Sequence, residues 1–260
     1  MTVEWPPRLV GVVHLAPLPG TPRVALSIDE IIERAVADAR AYHEGGADAL
    51  IVENFGDAPF FPERVEPHTI AAMALAVRAV ATQVPLPIGV NVLRNDAAAA
   101  LGIAATAGAK FIRVNVHTGV IATDQGIIEG RAAETLRYRR LLDAPVEIWA
   151  DVLVKHGVPL GPQTIEEAAL DAVERGLADA VIVTGVATGR SADPDDVARV
   201  RCVLPETPIY VGSGVNPESI PEFLPVATGV IVGTWAKRDG RVQNPVDPAR
   251  VARLAEGLGR

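Results

Sequence analysis

Eight short apolar runs punctuate the chain from end to end. They are "RLVGVVHL" (8–15), "DALIVEN" (48–54), "PIGVNVL" (87–93), "KFIRVNV" (110–116), "VEIWADV" (146–152), "DAVIVTG" (179–185), "PIYVGSG" (208–214) and "GVIVGT" (229–234). Each is nearly continuous in Val, Ile and Leu instead of alternating with polar residues. That is the pattern of a strand covered on both faces. Helical patterns fill the intervals. Ile28, Ile31, Ile32, Ala35, Ala39 and Tyr42 keep the spacing of one buried stripe. Ser27 with Glu30 and Thr164 with Glu167 are capping-box pairs, and "DPDD" at 193, "NPES" at 216 and "DPAR" at 247 each set a cap residue before a helix-starting proline. The phrases "GGADAL", "AGAKFI" and "RGLADAV" place glycine where a left-handed C-cap would end a helix before the next strand.

Strand and helix thus alternate eight times at about 30 residues per unit, the arrangement of a single closed (β/α)8 TIM barrel occupying residues 1–260. An open doubly wound sheet would more often have fewer strands and an early "GxGxxG", and no such motif is present. The strand-to-helix segments 54–66, 117–130 and 153–163 are long, and in a barrel they share the C-terminal rim where sites are built.

Composition narrows the partners. A net charge of −8 opposes nucleic-acid binding, which needs a basic face, and opposes electrostatic adhesion to an anionic membrane. Cys202 is the only cysteine, so no internal disulfide forms, as is usual in the cytoplasm. No apolar run is long enough for a transmembrane segment, and "MTVEWPPRLVGVV" has no positive n-region before a cleavable apolar stretch, so no signal peptide is expected. A cytoplasmic protein is expected, with a homo-oligomer left open.

The strand ends carry the candidate chemistry. His14, Glu53, Asp151, Lys155 and His156 are the expected catalytic groups, the carboxylates and imidazoles as acids and bases. Lys155 would serve as a fixed cation, or as a Schiff-base amine if a hydrophobic pocket depressed its pKa. Asn54, Asn91, Asn115, His117 and Thr184 are expected to bind substrate. Any one of these could be a cap or a turn residue. Six successive strand ends converging on one mouth are harder to explain so, because an unpaired buried polar group costs a few kcal/mol.

The last two strands end in small residues. Gly212, Ser213 and Gly214, with Gly233 and Thr234, are expected to seat a phosphate, helped by a helix starting at "NPES". No cofactor is expected. A divalent metal would have to use His14, His117, His156, Glu53 and Asp151, which show no ligand spacing. The segment 55–66 reads either as a lid, with Gly56 as hinge and Phe60 and Phe61 excluding water, or as an aromatic patch for a partner protein.

Seven phrases together resemble the BtpA/SgcQ family: "GVVHLAPLPGTP" (11–22), "DALIVENFGDAPF" (48–60), "GVNVLRND" (89–96), "FIRVNVHTG" (111–119), "ADVLVKHG" (150–157), "VTGVATG" (183–189) and "NPVDPARV" (244–251). The resemblance implies a fold similar to the ribulose-phosphate-binding barrels. It also implies two kinds of function, because the family takes its name from a photosystem I biogenesis factor peripheral to thylakoids, while other members carry sugar- or nucleoside-related labels. One expectation is an enzyme acting on a phosphorylated small molecule, a sugar phosphate or nucleotide-like compound, by lyase, isomerase or nucleosidase-type chemistry. The other is a non-catalytic assembly factor working through a protein–protein interface, with peripheral membrane association. Convergence of polar residues on the mouth favours the enzyme.

Overall fold

Parity along each strand decides what an apolar residue packs against, since successive side chains leave opposite faces of a sheet. A computed structural model describes residues 5–154, 156–185 and 192–260. The chain runs β1 (Leu9–His14), α1 (Ile28–Glu44), β2 (Ala49–Glu53), α2 (Pro67–Gln83), β3 (Ile88–Asn91), α3 (Ala97–Ala107), β4 (Phe111–Val114), β5 (Val120–Thr123), β6 (Gly126–Glu129) and α4 (Ala132–Leu141). It continues β7 (Glu147–Val152), β8 (Gly157–Pro159), α5 (Ile165–Leu170), β9 (Ala180–Thr184), α6 (Pro194–Val203), β10 (Ile209–Gly212), α7 (Ile220–Phe223), β11 (Gly229–Val232) and α8 (Pro248–Gly257). Strands β1, β2, β3, β4, β7, β9, β10 and β11 close into a barrel, every neighbour parallel.

One parity set, including Leu9, Leu50, Val90, Ile112, Ile148 and Val181, packs with the helices in the outer core. The other, including Val10, Ile51, Phe111, Trp149, Ile182 and Tyr210, clusters separately as the barrel interior. Its lower half is a stack: the rings of Phe111 and Trp149 are 3.9 Å apart and those of Trp149 and Tyr210 are 4.1 Å apart. Among the described residues, no helix is long and apolar enough to cross a membrane.

The capping boxes at Ser27 and Thr164 form as their spacing predicts, and Asp193 and Asp247 cap helices that begin with proline. "NPES" does not start a regular helix. Asn216 and Ser219 exchange side-chain and backbone hydrogen bonds in a turn, and α7 begins only at Ile220 and lasts four residues. The expected helix dipole behind the phosphate seat is therefore absent. At "RGLADAV" the left-handed residue is Leu177 (φ 52°) and not Gly176. Gly176 serves close packing instead, since a Cβ there would lie 2.6 Å from the Ala172 carbonyl and 3.0 Å from the His117 ring.

Two of the long loops are not loops throughout. β5 and β6 form an antiparallel hairpin, and β8 pairs with β5 to make a three-stranded sheet beside the barrel.

Candidate functional site

The inward parity that places Val10 and Ile51 in the barrel core places His14 and Glu53 at its top. His14 stands opposite Glu53, and Glu53 opposite Asn91, across adjacent strands. On β4 the same column runs Phe111, Arg113, Asn115. An arginine therefore enters the barrel where an apolar residue would continue the stack, and only 6% of it is exposed. The sequence reading passed over Arg113, although its parity with Asn115 inside an apolar strand marked it.

Arg113 organises the centre. Its Nε and Nη2 donate to the two carboxylate oxygens of Asp151, each at 2.9 Å. Asn115 Nδ2 donates to the same carboxylate at 2.9 Å, and Asn91 Nδ2 donates to Asn115 Oδ1 at 3.0 Å. Glu53 lies 3.9 Å from Arg113 Nη1, and His14 Nε2 lies 3.8 Å from Glu53. Burial alone would lower the Arg113 pKa, but the Asp151 and Glu53 charges outweigh it and raise it. Arg94, also buried and also missed, is lowered by burial, which Asp151 and Glu53 offset in part.

Two cavities open over this network and share Glu53, Phe55 and Arg113 as walls. The smaller, about 250 Å³, lies between His14 and Glu53 on one side and Ser213, Gly214, Gly233 and Thr234 on the other. Two of the five expected catalytic groups and most of the expected phosphate-binding residues thus line one space. Ser213 and Gly214 are both left-handed (φ 69° and 66°), and Ser213 Oγ is buried with no hydrogen-bond partner among the described residues. Gly212 ends β10 beside Thr184, where an added Cβ would make ordinary contact at 3.4 Å. At Gly233 the missing Cβ makes room for His14, whose Cε1 would be 2.5 Å away, and not directly for an anion. The larger cavity, about 480 Å³, is walled by Arg94, Asn115, Phe60, Asp124, Gln125 and His156.

Other expected site residues stand elsewhere. Asp151 is beneath the cavities, its side chain fully buried behind Arg113, so the floor is the guanidinium and not the carboxylate. Asn91 likewise supports Asn115 from below. Asn54 is engaged outside the mouth: its Oδ1 accepts from Leu93 N at 2.7 Å and its Nδ2 donates to Asp57 at 3.0 Å. His117 leaves the mouth altogether, its Nε2 donating to the Gly176 carbonyl at 2.8 Å in the turn before β9. Thr184 is half-buried at the end of β9 and borders neither cavity. Lys155 lies outside the described residues.

Gly56 is no hinge. A Cβ there would meet the backbone of Leu15 to Pro17 within 2.8 Å, and Asp57 accepts from Leu18 N at 2.8 Å. Only the stretch beyond Asp57 can act as a cover, with Phe60 at the cavity and Phe61 half exposed. Among the described residues, no group of three or more His, Cys, Asp or Glu side chains stands ready to hold a metal ion.

Comparison with known proteins agrees with this architecture. The chain belongs to the BtpA family, whose model matches residues 7–260. It is 48% identical to the photosystem I biogenesis protein BtpA of Synechocystis sp., over 96% of this chain and 87% of that one. It is 33% identical to SgcQ of Escherichia coli, over 95% of this chain and 92% of that one. Among solved structures it is similar to N-(5'-phosphoribosyl)anthranilate isomerase from Pyrococcus furiosus, with TM-score 0.60, 15% identity and coverage of 97% and 98%. At that identity the likeness speaks for the barrel alone.

Proposed function

We propose that this member of the BtpA family is an enzyme that binds a phosphorylated small molecule in the barrel mouth, with its phosphate between Ser213–Gly214 and Gly233–Thr234. One observation carries the reading. The end of β10 offers a buried hydroxyl, Ser213 Oγ, with no partner among the described residues, on a residue that lines a cavity whose opposite wall is an imidazole and a carboxylate. Loops after the last two barrel strands are the usual phosphate site of this fold, and a similar solved barrel is named for a phosphoribosyl compound. In this arrangement Glu53 takes up or delivers a proton at the carbon or oxygen nearest it. His14, within ion-pair distance, exchanges that proton with the other side of the cavity. Arg113 stays charged and stabilises negative charge developing on the substrate, while Asp151 holds it in place.

Calorimetric titration with inorganic phosphate tests the seat directly. Ser213→Gly removes the hydroxyl and also relieves the left-handed backbone, so the variant should fold at least as well as the parent. Loss of one hydrogen bond to a charged group predicts an affinity lower by roughly tenfold or more. Equal affinities in parent and variant would remove the seat.

A second reading draws on a different surface. Ile127, Val158 and Leu160 on the three-stranded sheet and its flank are each more than half exposed, and one relative is named for photosystem I biogenesis. An assembly role would use this face and not residues 55–61, of which Phe55 and Phe60 are committed to the mouth. Ile127→Lys should then abolish partner capture and leave phosphate binding untouched.

A further inference from the structure

The β5–β6 hairpin turns at Asp124 and Gln125, and its tip reaches the larger cavity. The turn is braced: Thr123 Oγ1 donates to the Gly126 carbonyl at 2.9 Å and accepts from Gln125 N at 3.2 Å. Pairing of Thr123 with Gly157 brings His156 alongside. Gln125 Nε2 donates to Asp124, which fixes the amide, and its Oε1 is buried with no hydrogen-bond partner among the described residues. A held acceptor with no partner among the described residues, on a residue that walls an open cavity, is a group suited for a ligand to donate to.

We infer that this hairpin tip is the specificity wall of the site and that it reads the hydroxyls of a phosphorylated polyol, a sugar phosphate in chemical class. The inference rests on the phosphate seat proposed above. The larger cavity has acceptors at Asp124 and Gln125 and the Arg94 guanidinium on its walls, a lining that suits an occupant able both to donate and to accept on neighbouring atoms. Vicinal hydroxyls do so. A second anion would meet Arg94 but also the carboxylates of Asp124 and Glu53, while Arg113 is already paired with Asp151. A flat base would find Phe60 as its aromatic face there, since the Phe55 ring is packed against His14, with centroids 4.6 Å apart, and the ligand series below separates it from a polyol. The two cavities share Glu53, Phe55 and Arg113, so a ligand anchored by phosphate in one extends its carbon chain into the other across the proposed acid–base group.

The test compares ligands that differ only in the part the hairpin would read. Inorganic phosphate, ethyl phosphate, ribose 5-phosphate, ribose 1-phosphate, xylulose 5-phosphate and glucose 6-phosphate are titrated calorimetrically into the parent, Gln125→Leu and Asp124→Ala. Asp124 is exposed and Gln125 lies at a hairpin tip outside the core, so both variants should keep the parent's unfolding midpoint. At least one sugar phosphate should bind the parent about tenfold tighter than ethyl phosphate, and each variant should narrow that ratio to about twofold with inorganic phosphate unchanged. A parent that binds inorganic phosphate but no sugar phosphate better than ethyl phosphate overturns the inference and leaves the seat standing. So does a preference that survives both substitutions. A parent that binds no phosphate at all removes the seat and this inference with it.

Discussion

An arginine inside a strand covered on both faces must bring its own counter-charge, because an isolated buried ion is far costlier than a buried methylene. Arg113 has Asp151 in bidentate contact and Glu53 at 3.9 Å. Breaking such a pair from one side leaves an uncompensated charge and costs about 3–5 kcal/mol, whereas replacing both partners by apolar groups is often close to neutral. Arg113→Met should therefore lower stability in urea by an amount of that order, and adding Asp151→Leu should restore roughly half of it or more. The remainder is the Asn115 amide, which loses its acceptor. Additive losses in the double variant would show that the pair is not coupled. On the proposed reading, Glu53→Gln separates chemistry from binding: turnover of whichever phosphorylated compound proves to be a substrate should vanish while inorganic phosphate still binds, read by activity and calorimetry on one preparation. At this scale the sequence showed which residues end the strands, but it did not rank them. His14 and Glu53 line the cavity, whereas Asn54 is held by Leu93 N and Asp57 and His117 by the Gly176 carbonyl, and contacts between distant segments decide that.

The hairpin and its partner strand escaped the sequence because β5, β6 and β8 are three or four residues long and the β5–β8 pairing spans a wide sequence separation. Strands that short carry no clear period, and only the lengths of their loops hinted at them. The hairpin is rooted at His117, which looked like a ligand and is a fastener. Its Nε2 proton goes to the Gly176 carbonyl, and its Nδ1 is buried with no partner among the described residues. Burial lowers its pKa; the Gly176 hydrogen bond and Asp179 raise it, and Arg139 lowers it further. A folded-state value below the unfolded one means that stability is complete above the ordinary imidazole pKa of about 6.5 and declines as pH falls through it, when only the unfolded chain takes up the proton readily. Between about pH 7 and pH 5 the parent should lose more stability than His117→Gln, which has nothing to titrate there and keeps an N–H for Gly176. Parallel losses in urea melts of the two proteins would clear His117 of the effect.

Across the whole molecule the barrel divides into a lower half that is packed and an upper half that is polar. The continuous apolar runs made closure legible, since strands buried on both faces alternating with helices leave few other architectures. The division itself lies in the parity of the same runs: the inward column of β7 reads Trp149, then Asp151, and that of β4 reads Phe111, Arg113, Asn115. Below, Trp149 stacks between Phe111 and Tyr210, and its indole and that of Trp5 both donate to Glu147, each at 3.0 Å. That layer supports the fold and has no contact with either cavity. Trp149→Ala should accordingly destabilise by about 3–5 kcal/mol through the void it leaves. Its effect on phosphate affinity should stay within about twofold, because the proposed seat lies at the far ends of β10 and β11. Asp151 shares the strand two residues on, so any shift of β7 would reach Arg113 first. A Trp149→Ala protein that is folded at low temperature yet has lost phosphate binding would mean that the two halves are mechanically coupled and that the seat depends on the aromatic layer beneath it.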